Sequence, residues 1–113
     1  MSVLGEQYMW IFVFFDLPVE TKTQRRRATK FRKWLLKDGY IMIQFSVYAR
    51  ICNGLSRANK HITRLERIIP PEGSVRSLII TDKQYGKMKI HAGDFTLDEK
   101  AVTTTKNHQL SLF

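Results

Sequence analysis

The stretch YMWIFVFFDLP, residues 8–18, decides the fold. Residues 8–15 are aromatic, aliphatic or β-branched and carry no charge, which is typical of a strand that is apolar on both faces. Pro18 cannot continue the interior of a strand, so the strand ends near Asp16. The apolar run is far shorter than the roughly 20 residues that span a bilayer. We therefore predict a central strand of a sheet.

A helix is predicted directly after this strand. Thr21 and Gln24 have the spacing of a capping box, and Gly39 fits the left-handed position that follows a helix. The apolar residues between them recur at helical spacing and are Ala28, Phe31, Trp34 and Leu35. We predict a helix over residues 21–37 that packs this apolar stripe against the sheet.

Residues 40–51 alternate with the period of a strand. The odd-numbered positions from Ile41 to Ile51 are apolar, whereas the even-numbered ones include Gln44, Ser46 and Tyr48. The polar side chains are expected to face solvent. The segment is long for one strand, so it forms either one bent strand or two strands joined by a turn near residues 44–46.

The order of the remaining elements gives the fold class. A second helix follows near residues 56–69, then a strand over residues 75–81 and a short further strand over residues 87–91. This order predicts an α+β fold, ferredoxin-like βαββαβ, in residues 1–93 with an additional C-terminal strand. Residues 94–113 form a polar C-terminal tail, expected to begin disordered and to end as a docking segment at Leu110–Phe113. A strand folded back onto the same domain explains that end equally well.

Bulk composition favours an anionic partner. The 113 residues carry a formal net charge of +9, which suits nucleic acid better than a small-molecule substrate. Cys52 is the single cysteine, so neither an intramolecular disulfide nor a CxxC zinc site can form. The apolar run does not resemble a secretory signal, and we expect a cytoplasmic protein with no membrane partner.

Asp16 is the strongest candidate for a catalytic or metal-binding residue, because it is an acid at the end of an apolar strand. One carboxylate can hold Mg²⁺ if phosphates and water complete the ligand set. An acidic turn residue that caps the following segment is the alternative, and the residues alone slightly favour it. A homodimer would bring two copies of Asp16 together and change that balance.

The predicted first helix is strongly basic. It contains no acid among its basic residues, and a solvated helix surface normally mixes both signs. Contact with phosphate explains this pattern best, since basic side chains gain by releasing counterions condensed on DNA. The candidates for phosphate contact are Arg25, Arg26, Arg27, Lys30, Arg32 and Lys33, although helix geometry prevents all six from facing one way.

Several of these segments together resemble the CRISPR-associated protein 2 family, the small subunit of the CRISPR spacer-acquisition complex. The resemblance is carried by Phe15-Asp16-Leu17, the basic helix, Gly39, the run Ile43-Gln44-Phe45-Ser46-Val47-Tyr48 and the strand over residues 75–81, and it covers about residues 10–85. The resemblance implies a ferredoxin-like fold and a homodimer whose sheets face each other. It also implies a place between two dimers of the integrase, CRISPR-associated protein 1, with double-stranded protospacer DNA as the ligand.

The same resemblance gives Asp16 a role, since it matches the strand-end aspartate that binds magnesium in some family members. Metal-dependent cleavage of RNA or DNA is attributed to some of them. Residues Tyr48-Ala49-Arg50 depart from commoner members, which often carry an acid after the aromatic residue. Three hypotheses follow: a non-catalytic dimeric scaffold for spacer acquisition, a magnesium-dependent endonuclease with Asp16 as its catalytic and metal-binding residue, and, less favoured than these two, a regulatory ribonuclease toxin on the same fold.

Overall fold

A computed structural model gives the structure of residues 8–103. The strands are β1 (Tyr8–Asp16), β2 (Ile41–Gln44), β3 (Val47–Asn53) and β4 (Ser74–Thr81). The helices are α1 (Lys22–Lys37), α2 (Leu55–Glu66), α3 (Asp82–Gly86) and α4 (residues 97–103). The first six elements follow the predicted order, with the segment 40–51 divided into two strands.

The four strands form one antiparallel sheet in the order β2-β3-β1-β4. The apolar run of residues 8–15 thus occupies a central strand, flanked by β3 and β4. In the register, Phe12 lies between Ala49 of β3 and Leu78 of β4. The α+β, ferredoxin-like prediction is confirmed by this arrangement.

One face of the sheet, here named the helix face, packs against α1 and α2. Its core contains Ile11, Val13 and Phe15 of β1 together with Phe31 and Leu35 of α1. The ring of Phe15 meets that of Phe31 edge-on, with centroids 5.1 Å apart and planes at 82°. Burial of this face fixes α1 across the sheet.

The prediction that Tyr48 faces solvent is wrong. Tyr48 is buried on the helix face, with its ring 5.5 Å from that of Phe15. Ala49, its neighbour, is buried on the opposite face. The strand does alternate, but both of its faces are covered at its centre, and an aromatic ring with a polar tip packs there like an apolar one.

The turn between β2 and β3 consists of Phe45 and Ser46. Ser46 adopts a φ of +65°, which a serine rarely takes, and its carbonyl accepts a hydrogen bond of 3.1 Å from the Phe15 amide. The turn is therefore tied to the end of the central strand. Phe45 stands 80% exposed at the tip.

The second face of the sheet, here named the open face, is covered at one end by α3 and α4. Tyr85 of α3 stacks on Trp10 with ring centroids 4.0 Å apart, and the Trp10 indole N–H donates to Asp82 at 2.9 Å. The Tyr85 hydroxyl donates in turn to the buried Glu99 carboxylate at 2.6 Å. These contacts hold the C-terminal residues 94–103 against the sheet.

This part of the chain differs from the expectation. An additional C-terminal strand does not form within residues 8–103, because residues 87–91 pair with no other described strand. The tail does not begin disordered: it folds back as a helix whose first turn has a capping box between Thr96 and Glu99. The apolar end at 110–113 lies outside the described residues. None of the helices within 8–103 combines the length and apolar composition that crossing a bilayer requires.

Candidate nucleic-acid interface

Helix α1 begins with the capping box that the sequence predicts. The amide of Gln24 donates to Thr21 Oγ1 and the amide of Thr21 donates to Gln24 Oε1, each at 3.0 Å. Its buried residues, Ala28, Phe31 and Leu35, all face the sheet. Because the helix is anchored along one side, its other side is presented to solvent in a fixed orientation.

Five exposed cations run along the side of α1 opposite the buried residues. They are named here the basic stripe and comprise Lys22, Arg26, Lys30, Lys33 and Lys37. At 1.5 Å of rise per residue the stripe is about 22 Å long. None of the five forms an ion pair with a carboxylate among the described residues. The stripe thus offers uncompensated positive charge over that length.

The six residues predicted for phosphate contact do not share one surface. Arg26, Lys30 and Lys33 belong to the basic stripe and line a shallow depression along it. Arg25 lines the same depression, and its guanidinium donates to the Glu20 carbonyl at 2.8 Å. Arg27 turns away and pairs with Glu72 at 3.2 Å. Arg32 is half-buried outside the stripe. Lys22 and Lys37, which were not among the six, form the two ends of the stripe because their helical spacing places them on the same side of α1.

A buried polar cluster fixes the C-terminal end of α1. The Asp38 side chain is only 3% exposed and pairs with Arg64, while His61 Nδ1 lies 2.9 Å from its Oδ2. Arg50 of β3 donates to the Asp38 backbone carbonyl. A Cβ on Gly39 would lie 2.8 Å from Arg50 Nη1, so the glycine leaves room for this guanidinium. The cluster joins α1 to β3 and α2, and sequence reasoning missed it because its members are far apart along the chain.

Asp16 lies exposed at the end of β1, opposite Ser74 of β4. Strand alternation places it on the open face, two residues beyond Phe14. A Cβ on Gly73 would lie 2.6 Å from the Asp16 carbonyl oxygen, so the start of β4 packs closely on this strand end. Sequence reasoning missed Gly73, whose φ of +94° is another reason for glycine there.

One chain alone offers little to a metal ion. Within residues 8–103 no three His, Cys, Asp or Glu side chains lie close enough together to hold one. Mg²⁺ is commonly bound through one or two carboxylates with water and phosphate oxygens as the other ligands. Asp16 fits such a ligand set only if a nucleic acid or a second copy of the chain supplies the rest.

Beside Asp16 the open face carries an apolar depression that α3 and α4 leave uncovered. Phe14 and Leu78 are 39% and 53% exposed at its centre. The other apolar residues that line it are Phe12, Ile43, Val47, Ile80 and Met88. A contiguous apolar surface of this kind usually marks an interface.

Comparison with known proteins relates most of the chain to one protein family. The family model described as CRISPR associated protein Cas2 matches residues 9–88. A protein of Acidovorax ebreus named CRISPR-associated endoribonuclease Cas2 is 51% identical over 105 residues, which cover 93% of this chain and 100% of the relative. A Campylobacter jejuni protein of the same name is 43% identical over 111 residues, 98% of this chain and 76% of the relative.

A solved structure of Streptococcus pyogenes Cas2 superposes with a TM-score of 0.56 at 20% identity, covering 74% of this chain and 99% of that one. At that identity the likeness concerns the fold alone. The family match and the two sequence relatives support membership of the family itself, because they extend over most of the chain. The chain therefore belongs to the Cas2 family of CRISPR-associated proteins.

Proposed function

We propose that this protein acts in CRISPR adaptation as a homodimeric scaffold that holds duplex protospacer DNA between dimers of the integrase, CRISPR-associated protein 1. The basic stripe is the observation that carries the proposal. Duplex DNA bears one negative charge per roughly 1.7 Å of axis, so cations along about 22 Å of helix can meet several phosphates. Such contacts position a duplex without reading its sequence.

The open face supports the homodimer. Phe14 and Leu78 remain exposed in one chain, and a second sheet laid against them removes that apolar surface from water. Asp16 lies on the same face, so a face-to-face dimer brings two copies of it near one another. Two chains also double the +9 charge that is available to a duplex.

Binding to a blunt duplex tests the scaffold. Affinity should fall steeply with salt and depend little on sequence, and each phosphate contact removed should lower the log–log salt slope by about 0.9. The test variant changes Arg26, Lys30 and Lys33 to Gln, and the matched control changes the exposed Lys83, Lys87 and Lys89 to Gln. Equal losses in both variants would show that general charge, not the stripe, binds DNA.

The bridging role needs its own measurement. The integrase is expected to co-purify with the full chain, and the same purification is repeated with a chain that ends at residue 102. Loss of the integrase from the shortened chain assigns the docking to residues 103–113. Failure of the full chain to retain the integrase counts against the scaffold.

The second candidate function is a magnesium-dependent endonuclease, favoured by the names of the two relatives. Asp16 would be its metal-binding residue, and Mg²⁺ would supply charge stabilisation at the scissile phosphate. The test compares Asp16→Asn with the unchanged protein in RNA cleavage, DNA cleavage and spacer integration. Cleavage lost with integration retained identifies a dispensable nuclease, whereas no change in either assigns Asp16 a structural role.

A further inference from the structure

A cleft of about 350 Å³ lies between α1 and residues 67–71, beside the basic stripe. Its wall is apolar and rigid, because Trp34 also packs against the buried core and a proline has a fixed φ. The residues of this wall that matter here are Phe31, Trp34, Pro70 and Pro71. Nothing in the proposed scaffold requires such a cleft, since a duplex backbone lies on the surface of the stripe.

The rim of the cleft is cationic. Lys30 and Arg67 line it and form no ion pair with a carboxylate among the described residues, whereas Arg27 is engaged by Glu72 at 3.2 Å. An aromatic wall beside two unpaired cations matches the two parts of a nucleotide, a flat base and a phosphate. The volume is near the lower end of the range for small-ligand pockets, which runs from about 300 to 1,000 Å³.

Position relative to the stripe decides which ligand the cleft takes. Lys30 lines both the cleft and the depression along the basic stripe, so the two surfaces are continuous. A chain leaving the end of a duplex on the stripe reaches the cleft without crossing a gap. An acidic peptide also carries negative charge for the cationic rim, but it gains less binding energy from the aromatic wall than a stacked base does.

We propose that this cleft seats one unpaired nucleotide of a nucleic acid bound along the basic stripe, with its base against Trp34 and its phosphate at Lys30 and Arg67. The proposal rests on the proposed function, since the stripe must hold the adjoining duplex. Base stacking on an aromatic side chain tolerates any sequence. The site therefore recognises the change from paired to unpaired strand and not a particular base.

Tryptophan fluorescence of the full chain reports on this site directly. The chain has two tryptophans, and Trp10 is fully buried under Tyr85, so a ligand that quenches emission acts on Trp34. The probes are a blunt duplex and the same duplex with a three-nucleotide thymidine extension. The extended duplex should bind more tightly by on the order of tenfold and should quench emission, whereas the blunt duplex should bind without quenching.

Three variants complete the test. Trp34→Leu should abolish the preference for the extension and leave blunt-duplex affinity unchanged, and Arg67→Gln, a surface change, should reduce the preference. Leu36→Ala serves as the control, because Leu36 is 53% exposed on another side of the same helix. Thermal unfolding verifies that each variant folds.

Equal affinity for the two duplexes, or a preference that survives both Trp34→Leu and Arg67→Gln, overturns the nucleotide site and leaves the scaffold standing. If the unchanged protein binds neither the blunt nor the extended duplex, the scaffold itself is refuted. Quenching by an oligoglutamate peptide with none by the extended duplex also overturns the proposal and assigns the cleft to a protein segment.

Discussion

His61 Nδ1 of α2 lies 2.9 Å from Oδ2 of Asp38, a carboxylate buried at the end of α1. The contact joins the two helices that cover the sheet and, with Arg64 and Arg50, holds the basic helix at a fixed angle. A buried carboxylate is stable only when its partners replace water. The cluster therefore determines both stability and the position of the basic stripe.

Replacing Asp38 with Asn should lower the free energy of unfolding by about 2–3 kcal/mol, because hydrogen bonds to a charged acceptor are lost in a buried site. Urea unfolding at neutral pH measures the change. Asp94→Asn is the control: its ion pair with Lys100 is exposed, so no measurable loss is expected. A loss of unfolding free energy from Asp38→Asn that is as small as the loss from the control would mean that the Asp38 cluster adds no net stability.

Loss of the hydroxyl should affect the free energy of unfolding differently at two buried tyrosines. Within the described residues the Tyr40 hydroxyl has no hydrogen-bond partner, so Tyr40→Phe should leave the free energy of unfolding unchanged or raise it by up to about 1 kcal/mol. The Tyr85 hydroxyl donates to the buried Glu99, so Tyr85→Phe should lower it by about 2 kcal/mol. A loss from Tyr40→Phe as large as that from Tyr85→Phe would contradict this assignment.

The same tyrosines make stability fall at alkaline pH. Burial is the main cause that raises the pKa of both phenols above the ordinary value of 10.0. The unfolded chain loses these protons near pH 10 while the folded chain keeps them, so the full contribution of each tyrosine to stability is present below about pH 10 and declines as the pH rises further. The decline should approach about 1.4 kcal/mol per pH unit for each tyrosine.

Unfolding measured between pH 9 and 11.5 tests this decline, to which Cys52 also contributes because burial raises the pKa of its thiol. Tyr40→Phe should make the decline shallower by up to about 1.4 kcal/mol per pH unit. A slope that the substitution does not change would mean that Tyr40 titrates normally in the folded chain.

Gly73 should tolerate substitution less well than Gly93, although both adopt a positive φ, +94° and +89°. A Cβ on Gly73 would lie 2.6 Å from the Asp16 carbonyl oxygen, whereas one on Gly93 would meet nothing within 4 Å. Gly93→Ala should cost about 1 kcal/mol of unfolding free energy, and Gly73→Ala should cost more than about 2. Thermal unfolding compares the two, and equal costs would show that β4 yields freely at its start.

Helix α1 could be predicted from the sequence because its determinants are local. The capping box of Thr21 and Gln24, the apolar spacing and Gly39 all lie within 20 residues of one another, and the structure confirms each of them. The contacts that the sequence did not reveal are distant along the chain. Arg27 leaves the basic surface because it meets Glu72, and Tyr48 is buried because strand pairing places it on the helix face beside Phe15.

The C-terminal part illustrates the same limit. Residues 87–91 have the composition of a strand, yet a strand needs a neighbour, and the described sheet offers none to them. The buried Glu99 was not predicted at all, because its burial depends on the Tyr85 hydroxyl in a separate helix.

Leu78 should control the association of two chains if the open face is the dimer interface. Leu78→Lys places a charge among Phe12 and Phe14, so it should shift a dimer toward monomer, since an unpaired charge is costly to bury. Leu55→Lys is a matched control, because Leu55 on α2 is 54% exposed against 53% for Leu78 but lies on the opposite side of the sheet. Light scattering during gel filtration measures both masses. A Leu78→Lys protein that stays dimeric would require the two chains to associate through another surface, and Asp16 of one chain would then have no reason to approach its copy.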